Sequence, residues 1–161
     1  FLELVNELKR LGFKVGGFIS KEVRVGGKRI GFKIIELLHG REGWLAHVKG
    51  SFGPKLGKYV VNVKEIDEVG VSAIKEALSN SEVDLIVIDE LGPMEFFSKE
   101  FKEIVNEALN SKKPLLATIH YRMKNILKEL NTSSKIFEIT VENREVLPKE
   151  ITEELLAILS K

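Results

Sequence analysis

The chain is expected to fold as an α/β domain: a largely parallel sheet flanked by helices, with an antiparallel hairpin extension. Three observations predict it. Leu85, Ile86, Val87 and Ile88 form a short, unbroken apolar run closed by Asp89, Glu90 and a Gly92-Pro93 turn, the pattern of a strand buried on both faces. Strand-length apolar runs alternate with amphipathic helical segments through the second half, which calls for crossover connections between parallel strands. Apolar residues alternate on either side of Gly26-Gly27, as in a hairpin closed by a tight glycine turn.

In chain order, Phe1, Leu4, Val5, Leu8 and Leu11 share one helical face, and Gly12 suits the position just past the helix end. The helix carries no N-cap and its apolar face is already running at Phe1, so residues upstream are expected. Phe13 to Ser20 fits a strand, and Glu22 to Leu38 the hairpin. Trp44 to Val48 fits a short strand. Lys49 to Lys58, rich in Gly, Ser, Lys and Pro, reads as a loop near a ligand. Tyr59 to Val63 is extended, and Ile66 to Leu78 is an amphipathic helix. After the central strand come a helix over Lys99 to Leu109 with Ser98 as N-cap and a strand over Pro114 to His120. A helix over Met123 to Leu130, a polar turn over Asn131 to Ser134 and a strand over Lys135 to Val141 follow. A last helix, Lys149 to Leu159, has Pro148 at its start. Residues 1–161 read as a single domain, with no repeat or linker.

Composition excludes several classes of function. Twenty-five basic residues face 24 acidic ones, for a formal net charge of +1, so no long-range field captures nucleic acid or an anionic membrane. No apolar run approaches the ~20 residues that span a bilayer. There is no cysteine, hence no disulfide, thiolate metal site or cysteine nucleophile. The lack of signal-peptide and membrane features points to the cytoplasm. Abundant Lys and Glu with no Gln points to a thermophilic source.

Three predicted strand ends carry polar groups: Asp89-Glu90, Thr118-His120 and Asn143-Arg144. If the strands are parallel, all three gather on one sheet edge, where α/β sheets bind ligands. An apolar strand ending in Asp-Glu is the Walker B pattern, in which Asp supports Mg²⁺ and Glu polarises a water. The structural alternative is a core strand followed by a solvated acidic turn. Arg144 either meets phosphate or base or pairs with Glu142 or Glu145 on the surface. His120 is either a phosphate donor or a structural histidine. Glu95 is either a second carboxylate of the site or part of the turn. Lys49, Lys55 and Lys58 either meet phosphate or are solvated. His39, His47 and His120 lie on separate elements without ligand spacing.

DLIVIDELGPMEFFSKEF resembles the Walker B region of the small nucleoside-triphosphatase family of thermophiles, the cancer-related nucleoside-triphosphatase family. GFISKEVRVGGKRIGFKI, GKYVVNV and ITVENREVL resemble further segments of that family in order and spacing. The resemblance implies a P-loop α/β fold and Mg²⁺-dependent hydrolysis of nucleoside triphosphates to diphosphates. It makes Leu85, Ile86, Val87, Ile88, Asp89, Glu90, Leu91 and Gly92 the nucleotide-binding Walker B segment. Asp89 then assists Mg²⁺ through water and Glu90 is the catalytic carboxylate. Arg144 is a further nucleotide-binding candidate. The family's GxxxxGK[ST] phosphate loop does not occur in the 161 residues and is expected, with a first strand, immediately upstream of Phe1. The competing readings are a nucleotide or nucleoside kinase on the same fold and a non-catalytic nucleotide-binding or interaction module.

Overall fold

The computed structural model describes residues 1–129 and 134–160, apart from the side chains of residues 127 and 129. Helix α1 (Leu2–Arg10) leads into the long strand β1 (Val15–Val25), which returns through Gly26-Gly27 into β2 (Lys28–Glu36). Strands β3 (Glu42–His47), β4 (Lys55–Leu56) and β5 (Tyr59–Val61) follow. A helical stretch then runs from α2 (Val63–Glu65) through a π-helical turn (Ile66–Val71) into α3 (Ser72–Ser79). Strand β6 (Leu85–Leu91), a 3₁₀ turn (Glu95–Phe97), α4 (Lys99–Asn110) and β7 (Leu115–Ile119) carry the chain to a 3₁₀ segment (Tyr121–Glu129). Helix α5 (Leu147–Leu159) starts with Pro148 in its first turn, where the missing N–H costs nothing.

The strands form one mixed sheet in the order β4-β5-β3-β2-β1-β6-β7. Its parallel part is β1-β6-β7, and β2, β3, β4 and β5 extend it antiparallel. The two-faced burial predicted for β6 is present. Ile86 and Ile88 join Phe18, Ile74, Phe101 and Ile104 beneath α3 and α4. Leu85 and Val87 join Val15, Ile19, Leu4, Val5, Leu8 and Leu155 beneath α1 and α5. Each of these β6 side chains is fully buried, worth about 1.5–3 kcal/mol apiece relative to exposure. Among the described residues no helix is long and apolar enough to cross a membrane.

Gly17 brings β1 against β6. Its φ is +96°, and a Cβ there would lie 2.0 Å from the Val87 carbonyl oxygen. Only glycine accepts both that backbone angle and that approach. Phe18 and Ile19 are thereby set beside Ile88 and Asp89.

Five elements differ from expectation, the first being the predicted loop Lys49 to Lys58, in which Lys55–Leu56 pairs with β5 as strand β4. The first predicted strand and the first arm of the hairpin are one strand, β1, because its pairing with β2 runs on from Phe18 to Val25. Val63 opens a helix rather than closing a strand, since the Asn62 side chain accepts from the Glu65 N–H and caps it. The Met123 segment is 3₁₀ rather than α-helical and begins at Tyr121. Its expected end at Leu130 and most of the Asn131–Ser134 turn lie outside the described residues. Lys135 to Val141 is not a strand. It has the right alternation but no ladder partner, and an extended segment without a neighbour leaves its N–H and C=O groups unpaired. Ile136, Ile139 and Val141 are accordingly solvent-exposed.

Candidate active site

The acids at the end of β6 are displaced from a regular strand by a bulge. Ile88 pairs with Ala117 and Leu91 with Ile119, so β6 spends one residue more than β7 over the same stretch. Such bulges re-aim side chains, and the extra residue falls in Asp89-Glu90. Asp89 stands opposite Ile19 of β1. On its other side the Thr118 hydroxyl donates to Asp89 Oδ1 at 2.6 Å.

Asp89 and Glu90 are half-buried and Glu95 is buried. Burial pushes the Asp89 carboxyl above its ordinary range, and the Thr118 hydrogen bond pulls it partly back. Burial also raises Glu90, with His120 lowering it and Asp89 raising it further. A half-buried carboxylate with a raised pKa is a better proton acceptor than a solvated one.

His120 joins this edge. Its N–H donates to the Leu91 carbonyl at 3.2 Å, its Nδ1 accepts from the Arg122 N–H at 3.1 Å, and its ring stacks on Tyr121. Two of the three predicted strand ends therefore converge: Asp89-Glu90 with Thr118-His120. The third does not arrive as a strand end. Asn143 organises a turn, its Oδ1 accepting from the Thr140 N–H at 2.8 Å and its Nδ2 donating to the Glu138 carbonyl at 2.8 Å. Arg144 lies exposed on that turn, and no described contact joins it to the acids. Lys49, Lys55 and Lys58 are exposed. Leu85, Ile86, Val87 and Ile88 are core residues that carry the site without facing it, while Leu91 and Gly92 form its floor.

Glu95 belongs to the turn, the second of its predicted alternatives. It opens the 3₁₀ turn after β6 and accepts from the Gly92 N–H through Oε2 at 3.1 Å. Burial, with the charges of Glu90 and Asp89, raises its pKa to about 8. Ser98 caps α4 as predicted, its Oγ accepting from the Phe101 N–H at 3.0 Å, and the same hydroxyl donates to the Asp67 carboxylate.

One cluster gave no warning in the sequence. Glu36, His39 and Glu76 each bring a ligand-type atom within 4.8 Å of the others. The Glu36 oxygens already accept from the Leu38 and His39 N–H groups. The Arg41 guanidinium lies 3.8 Å from Glu36 and 3.9 Å from Glu76 and acts as the cluster's cation.

A family model described as NTPase matches residues 1–152. The nucleoside-triphosphatase THEP1 of Methanocaldococcus jannaschii is 49% identical over 156 residues, covering 97% of this chain and 88% of the relative. The protein of that name from Thermofilum pendens is 46% identical, covering 93% and 84%. Among solved structures, a human cancer-related nucleoside triphosphatase superposes with a TM-score of 0.78 at 30% identity, covering 97% of this chain and 89% of that one. THEP1 from the hyperthermophile Aquifex aeolicus gives 0.77 at 28% identity, covering 94% and 90%. With an α/β sheet of this shape and a family match along nearly its whole length, the chain belongs to the small nucleoside-triphosphatase family.

Proposed function

We propose that the protein hydrolyses nucleoside 5′-triphosphates, ATP and GTP among them, to diphosphate and phosphate with Mg²⁺ as cofactor. The observation that carries this reading is the placement of two differently surrounded carboxylates at the exit of one dry strand. Asp89 is held by the Thr118 hydroxyl and stands opposite Ile19 of β1. Glu90 is free of protein hydrogen bonds among the described residues and has its basicity raised by burial. The donor set is all oxygen, which fits a hard cation such as Mg²⁺. Asp89, fixed in one rotamer by Thr118, is the residue that would hold it, through a water. When bound, Mg²⁺ neutralises charge on the β- and γ-phosphates.

The chain's own residues do the rest. Glu90 accepts a hydrogen bond from the attacking water, aligns it with the terminal phosphorus and takes its proton as the bond to phosphorus forms and the bond from that phosphorus to the bridging oxygen breaks, the nucleoside diphosphate leaving. His120, beside Glu90, offsets part of the rise that burial gives that carboxylate. The family name of the relatives supports the substrate class.

The test is phosphate release from ATP and GTP with Mg²⁺, using protein made from its complete reading frame, in the parent and in Glu90→Gln. The amide keeps the shape and loses the basicity. A fall in kcat of about 100-fold or more is expected. Hydrolysis by the variant at the parent's rate would remove Glu90 from the mechanism.

A further inference from the structure

The geometry points to Glu95 as a positioning residue that holds the Glu90 carboxylate in place across Gly92. This inference rests on the reading of Glu90 given above. Gly92 is buried between the two acids. A Cβ on Gly92 would lie 2.8 Å from Glu95 Oε2 and 2.9 Å from Glu90 Oε1, with Glu90 Cγ at 3.3 Å. Both carboxylates therefore close on the space that a Gly92 Cβ would occupy. Gly92 carries an ordinary φ, so glycine is required here for space and not for backbone angle.

Glu95 is in turn anchored at both ends. Its side chain accepts the Gly92 N–H, and its carbonyl accepts the Ser98 N–H at 3.1 Å. Ser98 is tied to Asp67 in the π-helical turn and to the start of α4. The Phe96 N–H closes the loop on the Gly92 carbonyl at 3.3 Å. A carboxyl with 2% exposure is costly to keep in a turn that an apolar side chain would fill more favourably. Here it fixes the path of Leu91 to Glu95 and, through Gly92, the wall against which the Glu90 side chain rests. A base that must meet a water in line with phosphorus tolerates little displacement.

A double-mutant cycle on the full chain tests this. We compare kcat and KM for ATP in the parent, Glu95→Ala, Glu95→Gln and Gly92→Ala, each with Glu90 intact and in the Glu90→Gln background, with thermal unfolding of every protein. Glu95→Ala and Gly92→Ala are expected to lower kcat about 10- to 100-fold while KM stays within about threefold. Glu95→Gln, which keeps an oxygen for the Gly92 N–H, restores kcat to within about threefold of the parent. In the Glu90→Gln background none of the three costs anything further, because the residue through which they act is already disabled. Gly92→Ala serves if Glu95→Ala does not fold, since the three atoms nearest its methyl belong to the Glu90 and Glu95 side chains and none to the backbone. An unchanged kcat, a loss confined to KM, or equal losses in both backgrounds would overturn the positioning role. A fully active Glu90→Gln would instead remove the reading on which it rests.

Discussion

At the scale of single residues, the three acids that follow Ile88 stand in different surroundings. Asp89 has a hydroxyl donor, Glu90 an imidazole neighbour, and Glu95 a backbone amide inside the protein. Their raised pKa values share one cause, burial, and this links catalysis to stability. Glu95 ordinarily titrates at 4.5, and at about 8 in the folded protein. Between those values the folded state holds a proton that the unfolded state has released, so stability falls as pH rises through that window. The slope from this one group is at most about 1.4 kcal/mol per pH unit. Asp89 and Glu90, also raised, add slope of the same sign. Thermal unfolding of parent and Glu95→Gln from pH 4.5 to 9 isolates the Glu95 share. The variant is expected to gain stability relative to the parent as pH rises towards 8, and the difference to level off above it. A difference independent of pH would mean that Glu95 ionises normally.

At the scale of elements, Ser98 shows how one side chain joins two helices. It accepts the Phe101 N–H at the start of α4 and donates to Asp67 in the π-helical turn. Helical turns of that kind concentrate near functional sites, and this one braces the strand end that carries the acids. Ser98→Ala removes the cap, worth about 1 kcal/mol, and leaves Asp67 without its donor. A loss of about 1–3 kcal/mol is expected from the urea midpoint with an unchanged m value. A variant as stable as the parent would show that Asp67 and the α4 amides find water instead. The segment Lys135 to Val141 is the opposite case. Its Phe137, Ile139 and Val141, alternating with Glu138 and Thr140, give the pattern of a strand, yet it pairs with nothing described. Strand propensity expresses fit to a neighbouring surface, so alternation alone does not create one.

At the scale of the whole molecule, the sheet is organised around the contact of β1 and β6. Every antiparallel strand hangs from β1, and both helical layers pack on β6. Gly17 is where that contact is closest. Gly17→Ala places a methyl against the Val87 carbonyl and forces φ +96° on a residue with a Cβ. We expect a loss above about 3 kcal/mol, read as a large fall in Tm. A small change would mean that the two strands can separate without cost. Hydrolysis should fall in parallel, because Asp89 keeps its place only while Ile19 stands opposite it.

The central strand, the hairpin about Gly26-Gly27, the caps at Ser98 and Pro148 and the acidic pair at Asp89-Glu90 were legible in the sequence. Each is written in neighbours a few residues apart, through periodicity, turn chemistry or the order of apolar and acidic groups. The rest depends on groups distant along the chain. Thr118 meets Asp89 across 29 positions, Arg41 and Glu76 find each other across 35, and β6 spends its extra residue only in register with β7. Local pattern decided which segments are strands and helices and which residues are chemical candidates. Tertiary packing decided which candidates meet, how dry each carboxylate is, and that Glu95 stands behind Glu90, because desolvation and strand register are properties of the assembled sheet.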